Sequence, residues 1–254
     1  MNIQVWLSLT VGVFIGGLAG YLGSLMLSKR MALVAGPLGH LALPGIALAL
    51  IYGFDASIGA FPFVVSGIVV LWLLEMRTKL PMEALTAVVF ASGVAVAFLF
   101  LPMERAQAAL VGDISRVSAW ETVVTVIVAI FLILVIRRIY PEMVLINVSD
   151  DLARSNGVNV DLYNFVYLFL VAVVVALGVK IVGGLLTAAL VAVPAASSRN
   201  LSGNLAQYAW GALIIGAASA CGGILLHAAT RLPAGPLIIL VGAGTFLLSV
   251  FFKR

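Results

Sequence analysis

Two histidines and a few carboxylates are the residues of this sequence best suited to bind a cation or move a proton, and His40 is the most informative. It sits in Ala35-Gly36-Pro37-Leu38-Gly39-His40-Leu41-Ala42-Leu43-Pro44-Gly45, inside a long apolar stretch. Counted from the basic boundary at Arg30, a helical rise of about 1.5 Å per residue sets it about 14 Å deep, near the middle of a bilayer's hydrocarbon core. An ionisable side chain at that depth is costly unless partnered. The prolines and glycines around it predict a broken or kinked helix over 36–45, because proline removes an amide donor and glycine accepts irregular torsions. Such backbone is tolerated at membrane depth where protein buries it or where it lines a wet cavity. A neutral imidazole there has two readings: a ligand for a passing divalent cation, or a buried donor to a backbone carbonyl, such as one released by Pro44.

The remaining candidates carry less. His227 lies just before Arg231 at the end of an apolar stretch and reads as interfacial. Glu83 follows Pro81 at the start of a predicted helix, where a carboxylate complements the helix N-terminus; a role in a substrate pathway is the alternative. Asp113, in Leu110-Val111-Gly112-Asp113-Ile114, belongs to an outer loop or short re-entrant element. It is either a solvated loop acid or a cation attractor at a pore mouth. A lone Cys221 excludes an intrachain disulfide and a clustered thiolate site. Gly-x-x-x-x-Gly-Lys-Ser/Thr, zinc-protease and paired-carboxylate motifs are absent. A machine driven by ATP would need another chain to hydrolyse it.

The elements that position these residues follow from composition. Of 254 residues, 63% are hydrophobic and 9% charged, and the mean hydropathy is +1.22. Soluble domains carry about 25% charged residues, and a core of this size could not hide so much apolar surface. The solvent is a bilayer. Apolar stretches cover roughly 1–28, 31–54, 56–74, 84–103, 122–136, 162–179, 181–198, 200–230 and 232–252. A spanning helix needs about 20 apolar residues, so these predict an all-α bundle of eight or nine transmembrane helices, with 181–198 the weakest. Strand alternation is absent, which argues against a β-barrel. The first stretch lacks a basic start and a small-residue cleavage site, and is expected to be a span, not a signal peptide.

Positive-inside counting places the N-terminus outside. Of 14 Lys and Arg residues, only Arg105, Arg116, Lys180 and Arg231 then fall in outer connections. The net charge of +4 reads as topology, with no nucleic-acid partner implied. Gly12, Gly16 and Gly20 form a stripe that lets another helix approach closely. The polar interval 137–161 contains Ser149-Asp150-Asp151-Leu152-Ala153-Arg154, a short helix capped by Ser149 or Asp150 and ended by Asn156-Gly157. It is either a solvated connector or a lever that docks on another protein.

At these residues the chain resembles the zinc/manganese/iron ABC importer permeases, over nearly its whole length. LGSLMLSKRMALVAGPLGHLALPGIALAL is similar to the family stretch in which a basic pair precedes Gly-Asp-x-x-x-His and a small-residue Pro-Gly run. EALTAVVFASGVAVAFLF and LVGDI resemble its acidic-start helix and following loop. VGGLLTAALVAVPAASSRNLS is the strongest match, and RLPAGPLIILVGAGTFLLSVFF resembles the C-terminal Leu-Pro-x-Gly-Pro helix. The resemblance implies one transmembrane permease domain over 1–254 in the inner membrane, with no permanently bound cofactor and no enzymatic activity of its own. It implies cytoplasmic ATPase subunits, an extracytoplasmic metal-binding protein and a second permease copy, identical or paralogous, as partners within the lipid bilayer.

By the same resemblance, His40 falls on the histidine of the translocation path, as a transient ligand of the transported metal ion, with Gly36, Gly39, Pro44 and Glu83 along that path. Asp150, Asp151, Leu152, Ala153 and Arg154, within 149–157, fall in the segment that couples to the ATPase. One departure stands out: the family's aspartate four residues before the histidine is Gly36 here. Zinc is the first ion expected, manganese or iron next. The rival readings are an ABC-type permease for a non-metal solute, which Gly36 favours, and a secondary transporter or channel that needs no ATPase.

Overall fold

The computed structural model describes residues 3–29, 35–54, 56–78, 80–100, 114 and 117–252, with the backbone alone at 35–37, 50, 56–57, 82–83, 97–98, 100, 180 and 185. Among these residues the chain is helical, with no strand. In order come α1 (Ile3–Ser28), α2 (Ala35–Leu41), α3 (Leu43–Tyr52), α4 (Ala56–Thr78), α5 (Met82–Phe100), α6 (Ala119–Val148), α7 (Asp150–Ser155), α8 (Val160–Leu201), α9 (Leu205–Thr230) and α10 (Ala234–Phe251). Among the described residues six helices are long and apolar enough to cross a membrane: α1, α4 from Ile58, α6, the first part of α8, α9 and α10. Shorter apolar helices run over Leu38–Ala49 and Ala84–Val96. The chain is a multi-pass membrane protein.

The centre of the bundle is α1, whose buried face packs on α9 and α8. Its glycine stripe is the reason. A Cβ at Gly16 would lie 2.7 Å from the Gly216 carbonyl oxygen, and one at Gly20 would overlap the carbonyl of Ala212. The two backbones therefore touch, and the stripe serves packing within the chain. Near the N-terminal end of α1, Ser8 and Gln4 donate to the carbonyls of Ile114 and Val117 at 2.8 and 2.9 Å. Elsewhere large apolar side chains face outward, as Ile127, Phe131 and Leu134 do on α6. That is the expected surface of a helix solvated by lipid.

One element differs from the sequence reading. The span expected at 122–136 is part of a 30-residue helix that begins at a Ser118–Glu121 capping box and runs on through Arg137, Arg138 and Pro141. An Arg138–Glu142 pair at 3.3 Å, one turn apart, lies on this extension. The polar interval therefore begins as helix and becomes a connector only at Ser149.

The stretches 162–179 and 181–198, expected as separate spans, are two helical limbs of α8 that meet at Gly183, whose φ of 79° and ψ of 168° are not helical. A Cβ at Gly178 would lie 3.2 Å from Thr187 and 3.5 Å from Leu190. In a straight helix residues 178 and 190 would be about 18 Å apart. The chain folds back on itself here, without a polar loop. Thr187 Oγ1 donates to the Gly183 carbonyl at 2.7 Å and closes the bend.

Candidate functional site

The segment around His40 is divided at Ala42, where α2 ends and α3 begins with Pro44 in its first turn. Ala42 keeps helical torsions, φ −69° and ψ −21°. The sequence-predicted break is thus a proline kink: Pro44 cannot donate to the preceding turn, while the Ile46 amide still reaches the Ala42 carbonyl at 2.9 Å. The strongly irregular backbone lies across the contact, at Gly183.

Contact between the two is made by main chain. A Cβ at Gly39 would lie 2.5 Å from the Gly184 carbonyl oxygen, and one at Gly184 would lie 2.7 Å from the Gly39 carbonyl oxygen. At this crossing no side chain larger than hydrogen fits between α2 and the second limb of α8. His40, the next residue, is partly buried. Its ring stands edge-on to Phe90 of α5, with centroids 5.2 Å apart and planes at 89°. Leu41 then plugs two glycine gaps at once. A Cβ at Gly67 of α4 would lie 2.6 Å from Leu41 Cδ1, and one at Gly93 of α5 would overlap Leu41 Cδ2. Gly45 of α3 and Gly59 of α4 repeat the backbone-to-backbone contact further out.

His40, on α2, therefore stands against α5 and, through its neighbour Gly39, beside the bend in α8. Beside it, between α3, α4 and α5, lies a cavity of about 360 Å³ whose lining includes Leu41, Pro44, Ser66, Gly67, Ser92 and Gly93. Its two hydroxyls are turned to their own helices, Ser66 to the Phe63 carbonyl and Ser92 to the Val88 carbonyl, both at 2.9 Å. The cavity is apolar. Among the described residues no three His, Cys, Asp or Glu side chains cluster in a way that could cage a metal ion.

The structure brings His40, Gly39 and Pro44 into this one region. Gly36 lies in α2 and Glu83 in the first turn of α5, but the surroundings of both are outside the described side chains, and Asp113 lies outside the described residues altogether. His227 is at the last turn of α9, its Nδ1 2.6 Å from the Leu232 carbonyl oxygen, far along the chain from His40. Phe90 is the site feature that sequence reasoning missed; the break expected at Lys180 between two stretches lies three residues further on, at Gly183.

The short helix α7 forms as expected. The Ser149 hydroxyl accepts from the Leu152 amide at 3.3 Å, and Gly157 adopts a φ of 79° after the helix. Ala153 is fully buried against the protein, while Leu152 is 46% exposed between the exposed Asp151 and Arg154. An apolar tip framed by charge is a surface fit for a protein partner. Arg154 pairs with Asp161 of α8 through two contacts at 3.1 and 3.4 Å, so α7 is clasped to the first limb of α8.

Comparisons with known proteins converge on one family. Residues 4–253 match the sequence profile of the ABC 3 transport family. The chain is 23% identical over 249 residues to the manganese transport system membrane protein MntC of Listeria monocytogenes, covering 96% of this chain and 89% of that one. It is 25% identical over 253 residues to the high-affinity zinc uptake system membrane protein ZnuB of Haemophilus influenzae, covering 97% of each. Among solved structures, PsaBC from Streptococcus pneumoniae in complex with Fab superposes with a TM-score of 0.86 at 22% identity, covering all of this chain and 93% of the other. At that identity the likeness establishes a shared fold.

Proposed function

Because this chain belongs to the ABC 3 transport family, matched from residue 4 to residue 253, we propose that it is the permease subunit of an ATP-driven importer carrying a divalent metal ion inward across the cytoplasmic membrane. The full-length family match is the observation that carries this reading. Relatives named for manganese and for zinc transport support a metal as cargo. Ligand chemistry favours zinc here. Gly36 supplies no carboxylate near His40, imidazole nitrogen suits zinc, and manganese prefers oxygen donors.

The partners are two cytoplasmic ATPase subunits, an extracytoplasmic metal-binding protein and a second permease copy. The permease performs no covalent step. The ATPase docks on the 149–157 segment through Leu152, with Asp150, Asp151 and Arg154 around it and Ala153 anchoring the helix from behind. Movement of α7 passes through the Arg154–Asp161 clasp to the first limb of α8. The bend at Gly183 delivers it to Gly39, and so to His40, without a compressible side chain between the backbones. His40 acts as a transient ligand: one imidazole, with no three-residue cage among the described residues, lets an ion pass and does not trap it.

The test is uptake by the complete complex in proteoliposomes, with its ATPase and binding protein, using zinc and manganese in parallel. ATP-dependent accumulation of zinc is expected, reduced about tenfold or more by His40→Ala, with ATP hydrolysis retained. Accumulation that proceeds without ATP would favour a secondary transporter instead. A complex that hydrolyses ATP but moves neither ion refutes the metal-importer reading.

A further inference from the structure

The second histidine has no part in the mechanism above, and its proton can be located. His227 stands in the last turn of α9, half-buried, with Nδ1 2.6 Å from the Leu232 carbonyl oxygen. A carbonyl has no proton to give, so in the neutral ring the proton is on Nδ1 and Nε2 keeps its lone pair. Among the described residues the Leu232 carbonyl is the one polar partner of this ring. Histidines that ligate metals are commonly held in this way: one nitrogen donates to a carbonyl, which fixes the tautomer, and the other meets the ion.

The first turns of α1 carry two more polar side chains whose hydrogens go to main chain. Gln4 Nε2 donates to the Val117 carbonyl at 2.9 Å, and Ser8 Oγ donates to the Ile114 carbonyl at 2.8 Å. Gln4 Oε1 and the lone pairs of Ser8 Oγ remain as acceptors. Gln4, Ser8 and His227 line one cavity of about 200 Å³, whose other walls are the carbon of Val5, Ile224 and Ala228. At about 30 Å³ per water, it has room for an ion with part of its hydration shell. Imidazole nitrogen is a ligand for zinc, and the two oxygens can accept hydrogen bonds from waters that stay on the ion. Among the described residues the lining holds no carboxylate, so an ion is held loosely and can leave.

Position gives the cavity its use. The 26 residues of α1 rise about 39 Å, the length of a membrane crossing. Past its far end Lys29 donates to Asn164 Oδ1 at 2.5 Å, on the first limb of α8 and three residues beyond the Arg154–Asp161 clasp. The cavity and the 149–157 segment therefore lie at opposite ends of α1. We propose that His227, with Gln4 and Ser8, forms a receiving site for a hydrated divalent cation at the end of the permease opposite the 149–157 segment, holding the ion by Nε2 before it reaches His40. This rests on the permease reading, in which the 149–157 segment faces the cytoplasm and the cavity faces outward. A histidine that only closed the turn between α9 and α10 would need its Nδ1 bond and would have no use for an open Nε2.

Two measurements separate these roles. The chain has two histidines, so peptide-resolved mass spectrometry of the isolated permease reads each one separately after treatment with diethyl pyrocarbonate, which attacks an imidazole lone pair. Zinc at about ten times its half-saturating concentration is expected to slow modification of His227 about tenfold, while the same concentration of magnesium, which gives up its waters reluctantly, leaves the rate unchanged. Equal rates with and without zinc overturn the proposal and leave a cavity that holds water only. A His227 that the reagent cannot reach overturns it as well, since an opening that admits a hydrated ion admits the reagent. The second measurement is zinc uptake by the complete complex in proteoliposomes. His227→Asn keeps a side-chain N–H in the place of Nδ1 and has no Nε2, so uptake should fall about tenfold at an unchanged melting temperature. Uptake within about twofold of wild type overturns the proposal. Should the variant melt early, the protection measurement decides alone. Wild-type complex that moves neither zinc nor manganese, with His227 still protected by zinc, refutes the importer reading and the receiving role with it. Wild-type uptake without protection overturns this proposal only.

Discussion

Replacing Gly39 with alanine adds one methyl group at the point where α2 meets the bend of α8. That methyl would sit 2.5 Å from the Gly184 carbonyl oxygen, whereas ordinary contact begins at 3.4 Å, leaving a shortfall of about 0.9 Å. The obstacle is backbone on both sides, so no rotamer change relieves it. Either the helices part or a bond angle yields, and overpacking of this kind costs about 1–3 kcal/mol. For a chain of this length each kcal/mol moves the melting temperature by about 2–4 °C, so Gly39→Ala should melt several degrees below wild type in detergent. The control is Gly244→Ala in α10, where an added Cβ meets nothing within 4 Å. There the helix should gain up to about 1 kcal/mol, because alanine loses less backbone entropy than glycine. Separation of α2 from α8 also displaces His40, so zinc uptake should fall in the first variant and hold in the second. Equal melting temperatures in the two variants would show that the close approach is not present in the folded protein.

Three further outcomes follow from the same geometry. Gly183→Ala places a Cβ on a residue with φ of 79° and ψ of 168°, a region essentially reserved for glycine, and should destabilise by about 1–3 kcal/mol, read as a lowered melting temperature. Leu152→Glu alters an exposed side chain and should leave the melting temperature of the isolated permease unchanged, while abolishing co-purification of the ATPase; retained co-purification would remove Leu152 from the docking surface. Lys29 sets a pH dependence. Its folded pKa is depressed below the ordinary 10.5 by burial, so the unfolded chain binds more protons, and stability rises with pH between the depressed value and 10.5. The wild-type melting temperature should therefore climb relative to Lys29→Met across that alkaline window, and parallel curves would contradict the assignment.

How far the sequence could be read depended on whether the physics was local. Composition named the solvent, because no soluble core hides this much apolar surface. The cap at Ser149 and the stop at Gly157 were legible because both are short-range hydrogen-bonding and torsional requirements. The proline kink near His40 was legible for the same reason, although its depth was overstated: Pro44 deletes one donor, yet Ala42 stays helical. The break between 162–179 and 181–198 was legible from Lys180, but its position at Gly183 was harder to see. Val182-Gly183-Gly184-Leu185 offers no proline, aspartate or asparagine, and the threonine bonded back to Gly183 lies four residues on. The two spans read from hydropathy are the two limbs, and the turn between them carries no polar loop. Phe90 beside His40 was invisible for a different reason: nothing in the spacing of α5 says which of its faces meets α2.

Leu41 holds a last consequence. One isobutyl group occupies the hollows at Gly67 and Gly93 together, so it fixes how far apart α4 and α5 stand, like a shim between two beams. Volume at these three positions is then a single shared quantity. Where another member of the family carries alanine or serine at either hollow, the residue corresponding to 41 should shrink to valine or alanine, and drift at one position should be readable as correction at another.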